Sequence, residues 1–347
     1  MWFRLVDRDR RLLALLAEHK VLTTNQIAAI EFASVRRAQD RLRRLRELGV
    51  VFAFRESYVN GGTSQTRYAL GYLGARLIAA QRSEKPPTPK AHTERLERLA
   101  FWPKLDHQLG VNDFFCALAE HRNPARGDIG RDAVGRLTHW WSEKRCTEFF
   151  WTGTHETVLR PDGYGCWEEH GRAVRFFLEH DTGTESLSKV TSKIGDYSDF
   201  PTDQFGIVLF SVHSAKRELA LRTALRRAVA GNDPRLVIAT AARDHGHPDG
   251  PAGVIWALWT PRDSGSVPHR YRLAELPERG PQVDYGAAGT EQPYNDAAFA
   301  PNDRTILGRL GMSLPEPVAP APADDDVALY DDSDDVYGAS PDLRWSA

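Results

Sequence analysis

One stretch constrains the fold more than any other: "SVRRAQDRLRRLRELGVV", residues 34–51. Val35, Ala38, Leu42, Leu45 and Leu48 recur at three- and four-residue spacing, which gathers apolar side chains on one face of an α-helix. Ser34 offers an oxygen to cap the helix start, and Gly49 can take the left-handed turn that ends it. The other face carries Arg36, Arg37, Gln39, Asp40, Arg41, Arg43, Arg44 and Glu47. A helix so patterned must lie with its leucines on a core and its guanidinium groups in water or on an anionic partner.

The flanking sequence extends that constraint. Leu12, Leu13, Leu15 and Leu16 make an amphipathic helix after Asp7, and "LTTNQIAAIEF" supplies a short second one capped by Thr23 or Thr24. After the Arg-rich helix, "VVFAFRESYV" and "TSQTRYAL" flank Asn60-Gly61-Gly62, a β-hairpin pattern. Three helices followed by a hairpin is the winged-helix order, whose third helix fits a major groove about 12 Å wide. The expected duplex-facing residues are Arg36, Arg37, Gln39, Arg41, Arg43 and Arg44 on the helix and Arg67 on the hairpin. The competing reading is a solvated basic face. Charge distribution favours a nucleic-acid head: residues 1–82 hold 15 Lys and Arg against 7 Asp and Glu, although the whole chain of 347 residues has a net charge of only −2.

Pro and charge in "RSEKPPTPKAH" read as a linker over 83–95, so the winged helix takes 1–82 and a second domain 96–265. In that domain "LTHWWSE", "TEFFWTG" and "ETVLRPDG" have strand-like content. So do "FGIVLFSV", "RLVIATAA" and "GVIWALWT", while "ESLSKVTSKIGDY" and "SAKRELALRTALRRAVAG" are helical. The order β-β-β-α-β-α-β gives a mixed sheet with helices on its faces, so the fold class is mixed α/β. Residues 266–314 read as an irregular extension. Residues 315–347, with 9 acids against Arg344 alone, read as a disordered acidic tail.

The segment "FFLEHDTG" poses the chemical question. Side chains alternate along a strand, so Phe177, Glu179 and Asp181 share one face and Phe176, Leu178 and His180 the other. A strand pairing that returns beside "LRPDG" puts Asp162 next to Glu179, with Asp162 closing the earlier strand. Lys189 and Lys193 lie four apart on the following helix and could be carried back over these acids. Asp162, Glu179 and Asp181 are the expected ligands of one Mg²⁺, a hard cation that prefers oxygen. Lys193 or Lys189 would serve the attacking water or the developing phosphorane charge. Equally, Asp181-Thr182-Gly183-Thr184 makes a turn without any site. His245-Gly246-His247 has no further ligand at zinc spacing and reads as a polar loop, and His107 as a core-edge residue.

These motifs resemble the PD-(D/E)XK nuclease superfamily: Pro161-Asp162 begins the signature and Glu179-His180-Asp181 continues it, with Asp181 where lysine is usual. The resemblance implies a restriction-endonuclease-like α/β domain, and that the lysine comes from the next helix. Taken in order, the Arg-rich winged helix, "HQLGVNDFF", "LRPDG" and "FFLEHDTGTES…K…Y" resemble the replication-relaxation family of actinobacterial plasmids and integrated elements. That resemblance implies double-stranded DNA as partner, alongside replication or relaxosome proteins. A DNA-binding replication or transcription regulator with a degenerate nuclease fold is the alternative. Three scattered cysteines and the absence of an apolar run of roughly 18 residues lead us to expect a reduced, cytoplasmic, membrane-free protein.

Overall fold

The computed structural model describes residues 5–57, 62–126, 135–149, 159–198, 207–228, 237–259 and 268–277. The tail over 315–347, the segment "APNDRTILGRLGM", the hairpin tip at Asn60-Gly61 and the expected helix end at Gly231 lie outside these residues.

The structure is mixed α/β, with a three-stranded and a six-stranded sheet. It begins with α1 (Asp7–His19), β1 (Leu22–Thr23), α2 (Thr24–Glu31) and α3 (Val35–Glu47), then β2 (Val51–Phe54) and β3 (Arg67–Leu70). Thr23 and Gln26 form a reciprocal capping box at the start of α2. Ser34 caps α3 by accepting from the Arg37 N–H. Ala38, Leu42 and Leu45 are fully buried, but Val35 is exposed. It sits in the first turn, ahead of the point where α3 meets the core. The three strands pair antiparallel in the order β1-β3-β2.

Helix α4 (Tyr72–Gln81) follows, then α5 (Pro89–Ala100) and α6 (Leu105–Ala119). The expected linker is therefore helical from Pro89: Thr88 caps the Ala91 N–H, and proline in the first turn loses no intrahelical bond. Helix α6 is tied to the first helices by buried polar bonds. Asn112 donates to Val21 O (2.7 Å), and Gln26 donates to Leu109 O (2.9 Å) and to Asp113 Oδ1 (2.6 Å).

The larger sheet has the order β4-β5-β6-β7-β8-β9. Its strands are β4 (Arg136–Ser142), β5 (Gly163–Glu169), β6 (Arg172–Asp181), β7 (Ile207–Val212), β8 (Val237–Ala242) and β9 (Ala257–Leu258). β4, β5 and β6 form an antiparallel meander, β6, β7 and β8 run parallel, and β9 returns antiparallel. Helices α8 (Leu187–Ser198) and α9 (Ala215–Ala228) make the crossovers between parallel strands. Phe176 and Leu178 bury with Phe115 and Trp140 on the α6 face, and Phe177 with Val190, Ile194, Tyr197, Leu221 and Leu225 on the other. The sheet is thus the middle of three layers.

Two expectations change here. The start of the expected strand "TEFFWTG", Thr147 to Phe149, instead ends a helix, α7 (Glu143–Phe149), with Ser142 Oγ accepting from the Arg145 N–H at its start; residues 150–153 lie outside the described residues. The expected strand before "LRPD", over 156–158, lies outside the described residues, and "LRPD" itself is not strand. It leads into β5, and the β5–β6 turn is His170-Gly171, both at positive φ, as a type I′ hairpin requires. The glycines at 163 and 165 lie inside β5. A Cβ at either would stand 2.7–2.8 Å from the Phe115 ring, so the bare backbone lets α6 settle on the sheet. All three cysteines are buried and free. Among the described residues no helix is long and apolar enough to cross a membrane.

Candidate active site

The register of the β5–β6 hairpin sets the site. Gly163 faces Leu178, and Asp162 N–H donates to Leu178 O (3.0 Å), which carries Asp162 level with Glu179. Asp162 Oδ2 accepts the His180 backbone N–H at 2.7 Å, so the ladder itself orients this carboxylate. Its Oδ1 lies 2.9 Å from His107 Nε2, on α6.

Glu179 points to the opposite layer. Its side chain is 4% exposed and forms an ion pair with Lys193 through Oε2. Oε1 accepts the Tyr197 hydroxyl at 2.6 Å. Lys193 and Tyr197 are four residues apart on α8, one turn on the same face, so a single helix delivers both to one carboxylate. The sequence reading singled out Lys193 but missed Tyr197 and set His107 aside. The four-residue spacing was the signal available for Tyr197. For His107, 55 residues before Asp162, no local spacing exists.

Electrostatics bind these groups into one unit. Burial, followed by the charge of Asp162, drives the Glu179 pKa upward against the pull of Lys193 and Tyr197. Burial also opposes the charge on Asp162, but the His107 hydrogen bond and the charges of Lys193 and His107 prevail and lower its pKa. The same balance raises His107: burial works against protonation, and Asp162 outweighs it. Lys193 is held charged, because Glu179 and Asp162 overcome its desolvation. The result is two buried carboxyl groups, each with its own basic partner: His107 for Asp162 and Lys193 for Glu179.

Asp181 and Lys189 are not part of it. Asp181 does share the Glu179 face, but Arg217 of α9 holds Oδ2 at 2.7 Å and the Gly183 N–H caps Oδ1 at 3.0 Å. Its carboxylate is spent on the turn and on α9. Lys189 is exposed and pairs with Glu185 at 2.5 Å. Among the described residues, no group of three His, Cys, Asp or Glu side chains is placed to hold a metal ion. His245, from the expected polar loop, lies beside Arg270 and Glu218.

The residues expected to face DNA divide similarly. Arg36, Arg37, Gln39, Arg43 and Arg44 are exposed along α3, as is Arg46, which the sequence reading left out. Arg41 turns inward instead. Its guanidinium takes both oxygens of Asp9, a carboxylate with no exposed surface. Arg67 is buried too, bound to Asp106 at 2.9 Å and Glu56 at 3.3 Å. Both are structural ion pairs, so neither stands available to a phosphate.

The model of the replication-relaxation family matches residues 13–205, more than half of the 347-residue chain. The chain belongs to the replication-relaxation family. Membership suggests a role in plasmid or mobile-element replication or relaxation. For this replication-relaxation protein the matched span takes in α3 and all five residues of the buried cluster: His107, Asp162, Glu179, Lys193 and Tyr197. No curated protein and no solved structure matches the chain.

Proposed function

We propose that this replication-relaxation protein binds double-stranded DNA through α3 and hydrolyses a phosphodiester at the Asp162–Glu179–Lys193 cluster. The carrying observation is that the β5–β6 pairing sets Asp162 level with Glu179, while Lys193 of α8 pairs with Glu179. The α-β-α-α-β-β order of the first 70 residues supports a winged helix, with its exposed arginines as phosphate contacts. The sheet order, with a second strand antiparallel to its neighbours and a helix crossing to a parallel fourth, supports a restriction-endonuclease-like domain.

The donor set fits Mg²⁺, which binds through one or two carboxylates and leaves its other positions to water and substrate phosphates. Asp162 and Glu179 would hold it. When bound, it polarises a phosphoryl oxygen and lowers the pKa of a coordinated water. The protein's own side chains set the stage. His107 and the His180 N–H fix Asp162, Tyr197 fixes Glu179, and Lys193 supplies positive charge where the phosphorane becomes more negative.

One observation favours a second reading. Each oxygen of Asp162 and Glu179 already meets a donor from this chain, so the network is complete without a cation. On that reading the protein is a non-enzymatic DNA-binding replication or transcription regulator. Incubating supercoiled plasmid with the full chain and Mg²⁺ separates the two. Metal-dependent nicking that disappears in Asp162→Asn and Glu179→Gln but survives in Lys189→Ala supports hydrolysis. Nicking unchanged in both acid variants would refute the assignment.

A further inference from the structure

A cleft of about 350 Å³ opens between the end of α1, strand β3 and helix α5. His92, Arg95, Leu96 and Leu99, at three- and four-residue spacing, turn one face of α5 into it, and Leu16 and Leu70 add to an apolar floor. Its charged lining is Lys20, Arg95 and Arg98, with no carboxylate among the lining residues. Glu94 and Glu97 of α5 fall outside it. Among the described residues these three cations form no ion pair. Burial lowers the Lys20 pKa; Glu143 opposes the shift, and the charges of Arg95, Lys144 and Lys104 add to it. Cations that crowd one another in this way gain when a polyanion enters.

The adjoining sheet face is aromatic. Val51 and Ala53 pack into the helical core, so strand alternation turns Phe52 and Phe54 the other way. The register sets Phe52 across from Ala69, which lines the cleft, and Phe54 across from Arg67. Cross-strand partners share a face, so the two rings continue the cleft along β2, the edge strand of its sheet. They lie nearly parallel, with centroids 5.9 Å apart and planes at 23°. Phe52 is 37% exposed, and Phe54 packs on the same small apolar cluster as Leu99 and Trp102. Lys20 Nζ sits 4.4 Å from the centre of the Trp102 ring, so that ring positions an ammonium group. At the Phe54 end, Arg67 answers the charges of Asp106 and Glu56.

Unclaimed cations beside open rings select the partner. We infer that this face binds a single strand of nucleic acid, with bases stacked on Phe52 and Phe54 and phosphates on Lys20, Arg95 and Arg98. A duplex keeps its base faces inside the stack, whereas a single strand offers them. Stacking on aromatic side chains along a positively charged groove binds such strands without reading their sequence. The surface is separate from the exposed arginines of α3 and does not depend on the carboxylate cluster.

The test follows the fluorescence anisotropy of a labelled oligothymidine of about 16 nucleotides, the upper end of strand-binding site sizes, with the full chain. Arg95→Ala/Arg98→Ala should weaken binding about tenfold at low salt and reduce the salt slope by about 1.4, the value for two single-strand phosphate contacts. Phe52→Ala should weaken it about fivefold or more, the loss of one stacked base. Neither should change the binding of duplex, whose contacts come from α3. Arg95, Arg98 and Phe52 are all exposed, and circular dichroism checks that each variant folds. Wild-type protein that leaves the anisotropy unchanged overturns the inference, as does a folded variant that binds the strand as the wild type does, or one that loses duplex and single strand equally. Capture of a glutamate–tyrosine copolymer that needs Arg95 and Arg98, with oligothymidine binding intact in the double variant, would give the face to an acidic protein. A dimer in sedimentation that Phe52→Ala makes monomeric, with strand binding unaltered, would give it to a second copy. Duplex binding and nicking are read separately, so their failure would fault the proposed function and leave this face standing.

Discussion

The exposed face of α3 and the buried end of β6 are both dense in charge, and they treat it in opposite ways. On α3, Arg36, Arg37, Arg44 and Arg46 stand in solvent, and Arg43 makes only an exposed contact with Asp40 at 3.3 Å. Around β6, Glu179, Asp162 and Asp181 are each saturated by partners from other elements. Charge in water is cheap and remains available to a long, loosely positioned polyanion. Charge out of water must be paired, and pairing fixes geometry, which chemistry on a single phosphate requires. On the proposed reading, that contrast gives the first region reach and the second precision.

The sharpest way to break the comparison is to remove a buried partner. Lys193→Met should destabilise the protein by about 3–5 kcal/mol in urea denaturation, because the buried Glu179 loses the cation that pairs with it. A loss below about 1 kcal/mol would place that pair with the weak surface contacts.

His19 probes burial without pairing. It stacks on Trp140, has no hydrogen bond at either ring nitrogen, and burial takes its pKa from 6.5 down to about 4. The unfolded chain therefore binds a proton that the folded one refuses. Its contribution is intact above pH 6.5 and is lost as pH falls toward 4. Relative to His19→Phe, the wild type should lose about 3 kcal/mol across that window. Parallel pH profiles of the two proteins would show that His19 titrates normally when folded.

The α3 face itself supplies the smaller effects. Arg41→Ala leaves Asp9 buried and should cost about 1.5–3 kcal/mol. Arg44→Ala should change stability by less than about 0.5 kcal/mol but lower the salt slope of duplex binding by about one. Equal stability losses in the two variants would erase the distinction between paired and free arginines.

This division also explains what the sequence could and could not reveal. Helical periodicity correctly put Leu42 and Leu45 inside, because each residue's neighbours lie within two turns. It could not reveal that Arg41 is claimed by Asp9, 32 residues away, or Arg67 by Asp106, 39 residues away. Alternation along β6 placed Glu179 and Asp181 on one face, and it was right about direction. It was silent on Arg217, which comes from a helix three elements further on and takes Asp181. The aromatic content of "TEFFWTG" favoured a strand, but a Ser142 cap and the contact of Phe149 with Trp141 make Thr147 to Phe149 helical. His107 was invisible for the same reason as Arg217: only the folded sheet brings α6 to Asp162.

The central claim is that Asp162 and Glu179, and not Asp181, form the cation-binding pair. Titrating the full chain with Mn²⁺, which accepts the same oxygen ligands as Mg²⁺, and counting bound ions by electron paramagnetic resonance tests it directly. The account predicts one bound ion, lost in Asp162→Asn and in Glu179→Gln and retained in Asp181→Asn. An ion retained in both acid variants, or no bound ion in the wild type, would contradict it.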